Sequence, residues 1–153
     1  MGAEDRIKEL GLTLPEVSSP IGSYVTAKRQ GNTLYLSGSG PIVGGKALYQ
    51  GKVGAEISSE EAYEAAKISA LNLIAVLKHE LGNLDKVKSI VKLLGFVACA
   101  PEFYNQPSAI NGASDLLVKV FGEKGRHARS AIGVYSLPMN IPVEIEMIVD
   151  TEE

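Results

Sequence analysis

The sequence predicts an α+β chain in which two long helices cover one face of a single mixed sheet. Three observations lead to this. β-rich and helical segments follow one another as strands, helix, strand, helix, strands. Ser58 and Glu61 stand three apart just ahead of the longest run of apolar residues at helical spacing. Val143, Ile145, Met147 and Val149 alternate with Glu144, Glu146, Ile148 and Asp150, the period-two pattern of a strand whose faces differ. At 153 residues and 45% hydrophobic, the chain falls where one domain buries roughly two thirds of its unfolded surface. Residues 1–153 are therefore read as one domain.

The elements follow in order. Residues 4 to 10, with Ile7 and Leu10 three apart, give one or two turns of helix that Gly11 stops. Pro15 and Ser18-Ser19-Pro20 mark a loop leading to a strand from Tyr24 to Arg29, and Gly31-Asn32 turns into the β-rich run Thr33 to Ser37. Glycines and a proline between 38 and 45 make that region hairpin-like or bulged. The helix announced by Ser58 and Glu61 runs to Leu81 and closes at Gly82. Val87 to Ala100 becomes continuously apolar, as a central strand does, and Pro101 ends it. Pro107 to Phe121 forms the second helix, with proline in its first turn and Gly122 after its end. Two strands close the chain, Arg129 to Ser136 and Pro142 to Asp150, and the short link between them predicts antiparallel pairing. A sheet covered by helices on one side still has a second face to bury, which points to self-association.

Composition narrows the function. Against 18 acidic residues stand 15 basic ones, net −3, so no global positive field is available to hold nucleic acid. Cys99 is the only cysteine, which rules out an intrachain disulfide; within its apolar run it reads as a small hydrophobe. Glu4, Asp5 and Arg6 stand where a secretion signal would be apolar, and no run approaches the ~20 apolar residues of a membrane span. A cytoplasmic location is expected. His79 and His127 are isolated, without a metal-ligand spacing or a nucleophile partner. The glycines at 38, 40 and 44 match neither the P-loop nor the dinucleotide fingerprint. Tyr24, Tyr35 and Tyr104 have no basic surround that would mark base stacking.

Two charged residues on apolar strands stand out. Arg129 lies in His127-Ala128-Arg129-Ser130-Ala131-Ile132, and its planar guanidinium suits a bidentate carboxylate. Glu144 lies in Pro142-Val143-Glu144-Ile145-Glu146, within reach of the same ligand if the two strands pair. A cross-strand ion pair, or two solvated charges, satisfies the same spacing.

The segments Pro20-Ile21-Gly22-Ser23-Tyr24, Gly31 to Gly38, Ala128 to Ile132, Leu137-Pro138 and Val143 to Glu146 occur in an order and spacing that resemble the reactive-intermediate deaminase family. This family is also called YjgF-like or, in older usage, endoribonuclease L-PSP. The resemblance covers Pro20 to Val149. It implies a chorismate-mutase-like subunit, a homotrimer around a central barrel, clefts between subunits, and no cofactor. It further implies hydrolysis of enamines or imines such as 2-iminobutanoate to 2-oxo acids and ammonia. By the same resemblance, Arg129 grips the substrate carboxylate, Glu144 positions or activates water, Tyr24 and Asn111 line the cleft, and Ala131 contacts substrate through its backbone. Ala131 stands where a cysteine is common, so no thiol acts there. A different class of function uses the same residues: a non-catalytic module that binds a small carboxylate metabolite. RNA cleavage rests on the older family label alone.

Overall fold

The computed structural model of the chain describes residues 1–152. Helix α1 (Ala3–Glu9) places Glu4 and Asp5 in its first turn and buries Ala3 and Ile7. It is fastened to the helix layer rather than lying loose. Its Ala3 amide donates to Asp85 Oδ1 (3.1 Å), Arg6 donates to the Val120 carbonyl (3.3 Å), and Glu4 pairs with Lys78.

Helix α2 (Ser59–Leu81) begins at the expected capping box. The Glu61 amide donates to Ser58 Oγ and the Ser58 amide to Glu61 Oε1, both at 3.1 Å. Such a cap contributes about 1 kcal/mol. Gly82, at φ 76°, ends the helix. Helix α3 (Gln106–Phe121) carries proline in its first turn and buries Ile110, Ala113, Leu117 and Val120. The two helices meet backbone to backbone at Gly112. A Cβ there would stand 2.0 Å from the Tyr63 carbonyl oxygen, so only glycine permits this approach.

Five strands form the main sheet: β1 (Ala27–Gln30), β2 (Thr33–Ser39), β5 (Val87–Ala98), β6 (Ala128–Val134) and β7 (Val143–Thr151). Their spatial order is β1-β2-β7-β5-β6. The glycine-rich region adds a separate small hairpin, β3 (Ile42–Val43) with β4 (Lys46–Ala47), and β2 is bulged between Leu36 and Ser39 where it pairs with β7. The sheet is mixed because β5 and β6 run parallel while every other adjacent pair runs antiparallel. Along β7, Val143, Ile145, Met147 and Val149 are buried at 0–1% exposure. They join Leu93, Val97 and the apolar faces of α2 and α3 in one contiguous core. The opposite face, with Tyr35, Lys92, Glu146 and Ile148, is bare.

The topology corrects one expectation. The Arg129 strand does not pair with the Glu144 strand: β6 pairs with β5, and β5 lies between β6 and β7. Residues 135–142 are long enough to pass the end of β5, and the β5-α3-β6 segment is a helix crossover, the usual way to join parallel strands. β5, the most apolar long strand, is thereby an interior strand beside the edge strand β6, and β7 takes the centre of the sheet. No helix among the described residues is long and apolar enough to cross a membrane.

Candidate functional site

Arg129 occupies the edge strand β6, and its register fixes the side it faces. Its β5 partner is Leu93, whose β7 partner is Met147. Leu93 and Met147 are buried under the helices, and residues directly opposite share a face. Arg129 therefore projects to the helix side, at the rim. There Nη1 donates to Ser114 Oγ (3.1 Å) and Nη2 to the Pro107 carbonyl (3.4 Å), both on α3. Asn111 lies between those two partners at helical spacing, so it shares their flank of α3; it is exposed. Ala131, two residues beyond Arg129, points the same way and packs partly against the core. Arg129, Asn111 and Ala131 thus form one group.

A histidine steadies the arginine's partner. His127 Nδ1 lies 2.7 Å from the Gly125 carbonyl, and Nε2 lies 2.9 Å from Ser114 Oγ. Burial lowers the His127 pKa, the Gly125 carbonyl opposes this, and the Arg129 charge lowers it further. In the neutral ring, Nδ1–H donates to Gly125 and Nε2 accepts the Ser114 hydroxyl proton. That turns the Ser114 lone pairs toward Arg129. All of the guanidinium's partners are neutral, and among the described residues it makes no ion pair. The expected alternative of an Arg129–Glu144 pair does not occur.

Glu144 belongs to a second group. Its β5 partner is Phe96, which in turn faces Ile132 on β6, so Glu144 projects to the bare side of the sheet. Its carboxyl group occupies space left by Gly38; a Cβ at 38 would come within 3.0 Å of Glu144 Cδ. Burial raises the Glu144 pKa and Glu146 raises it further. Next to Gly38, Ser37 holds the Tyr24 loop, donating from Oγ to the Val25 carbonyl (2.6 Å) and from its amide to the Thr26 carbonyl (2.9 Å). Tyr24 is 53% exposed beside this tie. Tyr24 and Glu144 thus share one end of the molecule.

Within one chain the two groups remain apart. They lie on opposite faces and two strand spacings from each other, about 10 Å across the sheet. Ser114, His127 and Gly38 were not singled out as site residues in the sequence. A signal was available: His127 precedes Arg129 by two on a strand, and Ser114 follows Asn111 by three on a helix, so both share a face with a site residue. Among the described residues, no group of three or more His, Cys, Asp or Glu could hold a metal ion.

The fold and this site define a small α+β protein with one helix-covered face, a bare sheet and an arginine at the sheet's open edge. The chain belongs to the YjgF/chorismate-mutase-like family, described with the words "putative endoribonuclease", whose model matches residues 4–149. It is similar to protein TCP17 of Trypanosoma cruzi, 39% identical over 145 residues, 94% of this chain and 91% of that one. A 2-iminobutanoate/2-iminopropanoate deaminase of Dermatophagoides farinae is 33% identical over 142 residues, 92% of this chain and 95% of that one. Among solved structures, protein Atu1372 of Agrobacterium tumefaciens, of unknown function, superposes with a TM-score of 0.92 at 46% identity. That match covers 98% of this chain and 92% of the other. The family and the chorismate-mutase-like α+β fold expected from the sequence are both shown.

Proposed function

We propose that the chain hydrolyses reactive enamine or imine forms of 2-imino acids to 2-oxo acids and ammonia, in a cleft between copies of a cytoplasmic homotrimer. The observation that carries this reading is Arg129: a guanidinium aimed by α3, held only by neutral groups, at an unpaired sheet edge. Its charge is uncompensated among the described residues, and a substrate carboxylate supplies the missing partner. The deaminase relative supports the same chemistry.

An iminium carbon is already electrophilic, so the reaction needs an oriented water, an anchored substrate and proton transfer more than a strong nucleophile. Water adds to the carbon, the C=N π electrons move to nitrogen, and the added water gives up a proton. The resulting carbinolamine expels ammonia as its hydroxyl becomes the carbonyl of the 2-oxo acid. Glu144 takes the proton from water and returns it toward the leaving nitrogen; a carboxyl whose pKa burial has raised is suited to both transfers. One chain holds Arg129 and Glu144 on opposite faces, so in this reading the Glu144 and Tyr24 that meet a ligand on Arg129 come from a neighbouring copy. No step requires a cofactor.

A structure of the protein soaked with 2-oxobutanoate tests the reading. The expected result is the carboxylate on Arg129 with Glu144 of the adjoining copy near the carbonyl carbon. A ligand that avoids Arg129 contradicts it. Saturable binding at Arg129 without turnover identifies the chain instead as a carboxylate-binding module.

A further inference from the structure

A second feature of the same edge bears on which acid is held. Where β5 and β6 end, beside the first turn of α3, a cleft of about 470 Å³ opens. Its walls include Phe103, Tyr104 and Tyr135, and two of its polar side chains, Gln106 and Lys52, are engaged with the chain itself. Gln106 Nε2 donates to the Phe103 carbonyl (2.9 Å) and lies 3.6 Å from Cys99 Sγ. Lys52 Nζ donates to the Tyr135 carbonyl and sits 3.8 Å from the centroid of the Tyr135 ring. Gly133 lets Gln106 and Cys99 pack directly on the strand at the cleft's floor, since a Cβ there would come within 2.8 Å of Gln106 Nε2 and 3.0 Å of Cys99 Sγ. Tyr104 and Tyr135 are 79% and 86% exposed, which leaves π surface uncovered at the mouth, on Tyr135 the face away from Lys52.

Two elements lead from this cleft to Arg129. On β6, Arg129, Ala131 and Gly133 face the same side, each step of two residues covering about 6.6 Å. On α3, Gln106 borders the cleft and its neighbour Pro107 receives the Arg129 guanidinium. A carboxylate on Arg129 therefore lies on the same side of β6 and the same flank of α3 as the cleft, two such steps or about 13 Å along the strand from Gly133. An ethyl group extends only a little way toward that space, whereas a benzyl group reaches about one step along the strand from the anchored carboxylate and presents a ring toward the aromatic walls.

We propose that this cleft receives the side chain of the substrate and that the preferred substrates are 2-imino acids bearing an aromatic side chain. The inference rests on Arg129 as carboxylate anchor, and its test separates the two. Calorimetric titration of the intact protein with 2-oxobutanoate, 3-phenyl-2-oxopropanoate and 2-oxoglutarate reads both. The phenyl compound is expected to bind at least tenfold more tightly than 2-oxobutanoate. Tyr104→Ala with Tyr135→Ala, both at exposed positions that the fold does not depend on, is expected to weaken the phenyl compound at least fivefold more than it weakens 2-oxobutanoate. Arg129-dependent binding of 2-oxobutanoate with no preference for the phenyl compound, or a preference for 2-oxoglutarate, overturns the aromatic assignment and leaves the anchor standing. Absence of Arg129-dependent binding for all three overturns both.

Discussion

Arg129 is aimed by neighbours that carry no charge, and that arrangement makes its behaviour separable from theirs. Ser114→Ala removes the Nη1 partner while leaving the guanidinium in place. A net hydrogen bond of about 0.5–1.5 kcal/mol translates into a 2- to 12-fold loss of 2-oxobutanoate affinity, readable by calorimetry, with Arg129→Ala losing far more. Glu144 has the opposite relation to its surroundings. Burial raises its folded pKa above the ordinary carboxylate value. Between the unfolded and folded pKa values the native state binds more protons, so the contribution of Glu144 to stability is full below about pH 4.5 and is lost as pH rises through the folded pKa. Glu144→Gln is therefore expected to raise the melting temperature at pH 7 and to leave it unchanged near pH 4. A fall at pH 7 that is absent near pH 4 would show that the carboxylate stabilises the fold. His127 behaves differently again: with its folded pKa lowered, its contribution is full above about pH 6.5 and fades as pH falls through the folded value.

Among the elements, the two long helices set the geometry of the Arg129 edge, because α3 carries both of the arginine's partners. The position of α3 depends on the close approach at Gly112. Gly112→Ala is expected to push α3 away from α2 and cost roughly 1–3 kcal/mol, as overpacking does, a fall of several degrees in a thermal melt followed by circular dichroism. Tyr63 adds a polar tie nearby: its hydroxyl donates to Asp115 Oδ2 at 2.7 Å, and that bond is the main reason its pKa rises to about 12. The elements themselves were legible because their signals are local. The Ser58–Glu61 box, the glycines after α2 and α3, and the alternation along β7 each specify backbone hydrogen bonding within a few residues. The pairing of β6 was not legible in that way. A short link between two strands favours a hairpin, and nothing within residues 129–150 reveals that β5 stands between them. The information lay in the β5-α3-β6 crossover, a relation across more than forty residues. Arg129 and Glu144 were found as isolated charges on apolar strands; their placement on opposite faces depends on that nonlocal pairing.

For the whole molecule, the bare side of the sheet and the two separated groups have one explanation. In the proposed assembly, a second copy that covers the bare face also brings Glu144 and Tyr24 of one chain toward Arg129 of another. Sedimentation is expected to give three times the mass of the chain. Ile132 lies on that face and is 45% exposed, so Ile132→Asp leaves the subunit's core intact. It is expected to produce folded monomers that have lost turnover along with assembly. Monomers that retain full turnover would show that each chain carries a complete site. The most direct measurement is ammonia release from freshly generated 2-iminobutanoate, compared between the wild-type protein and Arg129→Ala against spontaneous hydrolysis. The account predicts release well above the spontaneous rate for the wild type, and a loss of about a hundredfold or more once positioning by Arg129 is gone. Equal release by the two proteins would contradict it.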